Sequence, residues 1–174
     1  MLWVERQADK DSVDSLSRSL AVSPTLSRLL NLRGIELSEK AFEFLEPKLA
    51  HLASPFDIPH LRDAVVRIIK SIECQEGILL VGDYDVDGMT STAMMVSALK
   101  KLGATVYYYI PNRFTDGYGL STSIIPLIQQ ENIGLLLTLD CGISNSKEIA
   151  EIKQQCKIKV GIFDHHKISD LFLF

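Results

Sequence analysis

Seven residues, Gly82-Asp83-Tyr84-Asp85-Val86-Asp87-Gly88, place three carboxylates on alternating positions directly after the apolar run Gly77–Val81. On an extended segment residues two apart point the same way, so Asp83, Asp85 and Asp87 are expected to bring negative charge together at one strand end. Such crowding is costly unless a cation neutralises it. Two more acidic strand ends follow: Leu135–Leu139 runs into Asp140-Cys141-Gly142, and Ile158–Phe163 runs into Asp164-His165-His166. Ligands of open parallel α/β sheets bind outside the carboxyl ends of the strands, so the three groups are expected to converge on one crevice. Aspartate with histidine suits manganese or magnesium better than a structural zinc. Two such ions about 3.5–4 Å apart, bridged by a shared carboxylate, are the usual design for hydrolysing phosphate esters.

Each feature also has a plainer explanation. Asp83-x-Asp85-x-Asp87-Gly88 matches the start of a calcium-binding EF-hand loop, but the twelfth position, where a bidentate glutamate belongs, is Met94, and the preceding segment is strand-like. A solvated acidic turn is disfavoured because the carboxylates adjoin a buried strand. Asp140, taken alone, has a helix N-cap after a strand as its alternative reading. Cys141 beside Asp140 invites a nucleophile, yet no general base is suggested nearby, and a small residue at a crowded strand end suffices. His165 and His166 are adjacent, so extended backbone sends their rings to opposite sides; a surface pair is the alternative. In Pro111-Asn112-Arg113-Phe114, Arg113 offers a planar fork for phosphate and Asn112 a donor. Gly117-Tyr118-Gly119 then lets backbone approach a nucleic-acid strand, with Tyr118 placed to stack on a base. A plain loop with a surface arginine fits these residues as well.

The elements that must position these groups alternate. Leu61, Ala64, Val65, Ile68, Ile69 and Ile72 follow helical spacing and predict an amphipathic helix covering a sheet. Strands at 78–81, 105–110, 135–139 and 157–163 then alternate with helices at 90–102, 123–131 and 146–155. That order predicts an α/β fold with a doubly wound, mostly parallel sheet. Before it, Ser23-Pro24 marks a helix start and Ser38 an N-cap for a helix to Leu45. Residues 1–59 read as a short helical leader and linker, and 60–174 as the main domain.

The 174 residues suffice for a sizeable core, and 47% hydrophobic with 23% charged residues is ordinary for a globular chain. No run approaches the roughly 18 apolar residues of a membrane span, and Met1–Asp11 carries acids too early for a signal peptide. Three cysteines without paired metal spacing point to a reducing compartment, hence the cytoplasm. The formal charge of −4 includes Asp83, Asp85, Asp87, Asp140 and Asp164; without these five the remainder is +1. Charge therefore neither supports nor excludes a polyanionic partner.

GDYDVDG, PNRFTDGYGL, LTLDCGIS and FDHH, in that order, resemble the DHH phosphoesterase superfamily and, within it, RecJ-type single-strand-specific exonucleases. The likeness runs from the SPTLSRLLNLRGI segment to about His166, nearly the whole chain. It implies hydrolysis of single-stranded DNA from the 5′ end, in DNA repair and recombination, with two manganese or magnesium ions. By resemblance Asp85 and Asp87 are the paired metal ligands, Asp83 a further one, Asp140 the bridging carboxylate and His165 a ligand. His166 faces substrate, with Asn112, Arg113, Tyr118 and Gly119 along the strand, and Asp164 orients its neighbours. The family continues after DHH with a loop, an asparagine-proline segment, another aspartate and a second domain. Here only Lys167–Phe174 follows, so the carboxyl-terminal part is expected to be missing and activity impaired. A DHH phosphatase of short oligonucleotides or nucleoside bisphosphates, and a non-catalytic remnant or binding scaffold, are the alternatives. No membrane partner is expected, and protein partners are not indicated.

Overall fold

The computed structural model describes residues 4–114, 117 and 119–167. It divides into two compact units, Met1–Ile58 and Pro59–Phe174. The first is helical: α1 (Lys10–Leu20), α2 (Pro24–Asn31) and α3 (Ser38–Leu45). They enclose Leu16, Leu30 and Ala41, with Leu20, Leu26 and Ile35 against them. Ser23 caps α2 by accepting from Leu26 N–H, as its place before Pro24 predicts. The leader's first 22 residues contain α1, whose cap is Asp9 accepting from Ser12 N–H. Ser38 is not the cap of α3. Leu37 holds that position, and Ser38 Oγ lies 2.7 Å from Ser19 Oγ instead.

The second unit carries α4 (Leu61–Glu73), β1 (Gly77–Gly82), α5 (Val86–Lys101), β2 (Val106–Tyr109), α6 (Ile125–Gln130), β3 (Ile133–Leu139), α7 (Ser146–Cys156) and β4 (Lys159–Phe163). A single 3₁₀ turn, Thr122–Ile124, leads into α6, so the expected helix 123–131 is split where Pro126 enters its first turn. All strand pairs are parallel, in the order β2-β1-β3-β4. The sheet is doubly wound. Ile78, Leu80, Leu135, Leu137 and Leu139 face Ile68 of α4 and Leu99 of α5. Their neighbours Leu79, Val81 and Leu136 face Ile124, Ile128 of α6 and Ile152 of α7. Period-two alternation thus splits an almost uniformly apolar sequence between two helix layers. Each fully buried aliphatic side chain contributes about 1.5–3 kcal/mol.

α4 covers the sheet with a narrower stripe than its spacing implies: Ile68 and Ser71 are buried, whereas Val65 and Ile69 are 40% and 48% exposed. A polar clamp shares the contact. Arg67 donates to Glu76 Oε2 at 2.6 Å and to Gly134 O at 3.1 Å, tying the helix to the start of β3. The chain leaves β1 toward β2 on one side, while β3 pairs with its other side. The carboxyl ends of β1 and β3 therefore flank the switch point where such sheets open a crevice.

Candidate metal centre

The expectation that the three aspartates lie on extended backbone is wrong. β1 ends at Gly82, and α5 begins at Val86, four residues before its predicted start, because Asp85 is an N-cap accepting from Gly88 N–H at 3.0 Å. Asp87 then sits in the first helical turn. The helix amino terminus, with its unpaired N–H groups, replaces strand alternation as the device that tolerates these carboxylates. The flanking glycines permit the tight turn. A Cβ on Gly82 would lie 2.0 Å from Thr92 Oγ1, and one on Gly88 would lie 2.4 Å from both Asp83 N and O. Asp83 itself is buried, its N–H donating to Leu139 O at 3.3 Å and its Oδ1 accepting from Tyr84 N–H at 2.7 Å. Asp85 and Asp87 are exposed.

Asp140 follows β3 and takes a left-handed conformation (φ 61°), which costs about 1–2 kcal/mol and is best borne by Asp, Asn or Gly. Its N–H donates to Phe163 O at 2.7 Å, joining the ends of β3 and β4. Burial raises its carboxyl pKa above the ordinary range, the charges of Asp85 and Asp87 add to this, and His165 and His166 oppose it. A site that disfavours its own carboxylate in this way is suited to a cation. Cys141 donates its thiol to Val81 O at 3.6 Å. Burial, then Asp83 and Asp164, push that thiol up to about 12, so it is no nucleophile at neutral pH.

Asp164 is the organiser of the third strand end. Its Oδ2 accepts from Ile143 N–H at 3.0 Å, and its Oδ1 lies 3.0 Å from His166 N and 2.7 Å from His166 Nδ1. Burial alone would raise its pKa, but the N–H groups of His166 and Ile143, with the His166 ring, hold it below the usual carboxylate range. The same bond raises the His166 imidazole above its ordinary value. The hydrogen-bonded bend also corrects the expectation of opposed histidines. Their ring centroids are 4.9 Å apart, and Asp140, His165 and His166 each offer a ligand atom within 4.8 Å of the others. His165 Nε2 lies 3.1 Å from Asp140 Oδ1. Among the described residues Asp83, Asp85 and Asp87 fall outside that compact group, though Asp140 feels the charges of Asp85 and Asp87.

The chain after β2 meets the turn between β1 and α5 through Arg113, whose guanidinium lies 5.5 Å from the Tyr84 ring centroid. Asn112 Oδ1 accepts from Phe114 N–H at 2.9 Å, so part of its capacity serves the loop itself. Gly119 (φ 82°) is fitted to Asn145, whose Oδ1 accepts from Leu120 N–H and whose Nδ2 donates to Leu120 O. Tyr118 lies outside the described residues. Tyr84 and Asn145 were not anticipated. The signal for Asn145 was its place just before the first residue of α7; its side chain secures a distant loop rather than capping that helix.

A parallel sheet with aspartates and histidines gathered at its switch point defines a DHH-type domain, and the chain belongs to the DHH family: residues 77–173 match the DHH family, N-terminal domain. Over 167 residues it is 38% identical to the single-stranded-DNA-specific exonuclease RecJ of Bacillus subtilis, a match covering 96% of this chain and 21% of that protein. The chain thus spans about a fifth of that relative's length. The crystal structure of RecJ in complex with Mn2+ from Thermus thermophilus is similar with a TM-score of 0.63 and 30% identity, covering 93% of this chain and 22% of that one. The RecJ complex with Mg2+ from the same organism gives 0.52 and 27%, covering 91% and 18%.

Proposed function

We propose that this chain supplies the metal-binding part of an enzyme that hydrolyses phosphodiester bonds in single-stranded DNA from the 5′ end, in DNA repair and recombination. The observation that carries the reading is the grouping of Asp140, His165 and His166 within 4.8 Å, beside a helix start bearing Asp85 and Asp87. These hard oxygen and imidazole donors suit divalent manganese or magnesium, and relatives named for the same activity crystallise with those ions.

In this reading Asp83, Asp85, Asp87, Asp140 and His165 are the residues that would hold two divalent ions. When bound, the ions supply Lewis-acid polarisation of the phosphodiester and activation of water for in-line attack. Asp164 fixes the His166 ring through Nδ1, which leaves Nε2 to meet a phosphate oxygen. Arg113 adds a second phosphate contact, and Gly119 lies along the path of the strand. The absence, among the described residues, of a helix long and apolar enough to cross a membrane, together with unpaired cysteines, supports a cytoplasmic setting.

The test joins this chain to the remaining sequence of the Bacillus subtilis relative and follows mononucleotide release from long single strands, duplexes and a nucleoside bisphosphate. Manganese-dependent release from single strands is expected, reduced about 10³-fold or more by Asp140→Ala and by His165→Ala. Preference for the bisphosphate would indicate a small-substrate phosphatase instead.

A further inference from the structure

We infer that Tyr84 is a positioning residue: its ring is the platform that holds the Arg113 guanidinium ready for a nucleic-acid phosphate beside the aspartate cluster. The inference deepens the proposed function and rests on it. Tyr84 lies between Asp83 and Asp85, so whatever its ring supports is carried on the same turn as two proposed ligands. Arg113 comes from another element, the loop after β2, and its guanidinium carbon stands 5.5 Å from the ring centroid. That distance is within the range of cation–π attraction. Among the described residues Arg113 makes no ion pair with a carboxylate, despite the acidic groups on the neighbouring turn. A guanidinium drawn to a ring face rather than to a carboxylate keeps N–H donors for a phosphate oxygen pair.

The loop is built to present this group. Pro111 is buried at one end. At the other, Leu120 is 2% exposed and clamped through both N–H and C=O by the Asn145 side chain. Anchoring at both ends leaves Arg113 as an exposed side chain on tethered backbone, and contact with Tyr84 removes part of the remaining rotamer freedom before substrate arrives. Less is then lost on binding. A leucine at position 84 fills similar space without a π-face, whereas phenylalanine keeps the face and discards only the hydroxyl.

The experiment uses the full chain loaded with manganese and a fluorescent tetrathymidylate carrying or lacking a 5′-phosphate, read by anisotropy. Arg113→Ala is expected to weaken binding of the phosphorylated probe about tenfold, and Tyr84→Leu about three- to tenfold. Tyr84→Phe should stay within about twofold of the unsubstituted chain. The double variant Tyr84→Leu/Arg113→Ala should bind no more weakly than Arg113→Ala alone, since the two act as one unit. Manganese titrated without probe should bind equally in all four, which separates loss of the platform from damage to the adjacent turn. An independent reading needs no variant to fold: the Arg113 side-chain protons of the unsubstituted chain should be shifted upfield in NMR by the ring beneath them. Unshifted protons, full affinity in Tyr84→Leu, equal loss in Tyr84→Phe, or additive loss in the double variant would each overturn the platform alone. Manganese binding without any probe binding by the unsubstituted chain would also overturn the platform, whereas the nuclease reading falls only if the joined protein releases no mononucleotides from single strands.

Discussion

Asp140 Oδ1 lies 3.1 Å from His165 Nε2, although the two residues follow different strands. The contact is a consequence of register. Leu139 pairs with Phe163 as the last rung between β3 and β4, and Asp140 N–H closes onto Phe163 O. The residues just beyond that rung are thereby forced together. The sheet brings the carboxylate and the imidazole into contact, and the neighbouring β1 brings Asp85 and Asp87 near enough to perturb Asp140.

Manganese should therefore stabilise the chain. A melting-temperature rise is expected that grows with manganese concentration, amounting to about 2.7 kcal/mol at a hundred times the dissociation constant. It should vanish in Asp140→Ala and Asp85→Ala. An undiminished rise in those variants would move the ions elsewhere.

Without metal the sign reverses. The folded Asp140 pKa lies above its ordinary 3.8, so the associated stability is present below that value and lost as pH rises through the folded pKa. Asp140→Asn removes the loss. In chelator at neutral pH this variant is expected to melt above the unsubstituted chain, with the gap closing toward pH 4; manganese should invert the order. Melts across pH with and without chelator check both halves.

Asp164→Ala strips the acceptor from Ile143 N–H and from His166. Leaving such groups unpaired is expected to cost about 1–3 kcal/mol each where they stay dry, measurable by urea unfolding at pH 7. The folded pKa of Asp164 is depressed, so its contribution is present above the unfolded value and is lost as pH falls through the folded one. The variant should thus lose its disadvantage in acid.

Two alanine substitutions separate close approach from backbone conformation. Gly88→Ala drives a Cβ to 2.4 Å from Asp83 backbone, where neither side yields, and should destabilise by about 2–4 kcal/mol. Gly34→Ala meets nothing within 4 Å but keeps a φ of 78°, so about 1–2 kcal/mol is expected. Equal costs in paired unfolding curves would contradict the tight packing of the α5 start on β1.

Thiol labelling distinguishes the cysteines. Cys74 is exposed and Cys141 buried, with the latter's pKa near 12. Iodoacetamide at pH 8 should modify Cys74 readily and Cys141 only after unfolding, read by mass spectrometry.

Much of this was legible in the residues. The apolar run Leu135–Leu139, the turn signals between the runs, and the acidic residues at three strand ends are local properties, and they determined the parallel α/β sheet and the strand ends that Asp83, Asp140 and Asp164 follow. The family likeness followed from the same motifs. The tertiary structure decided how the groups face each other. Strand alternation and N-capping both fit Asp83-x-Asp85-x-Asp87, and the cap prevailed because Gly82 and Gly88 let α5 start against the end of β1. Adjacent histidines point apart only on extended backbone, and Asp164 bends that backbone by accepting from the second of them. The Tyr84–Arg113 contact and the Asn145 clamp join residues 29 and 25 positions apart. Pairings at that range carry no periodic trace in the sequence, because they are set by which loops the sheet order makes neighbours.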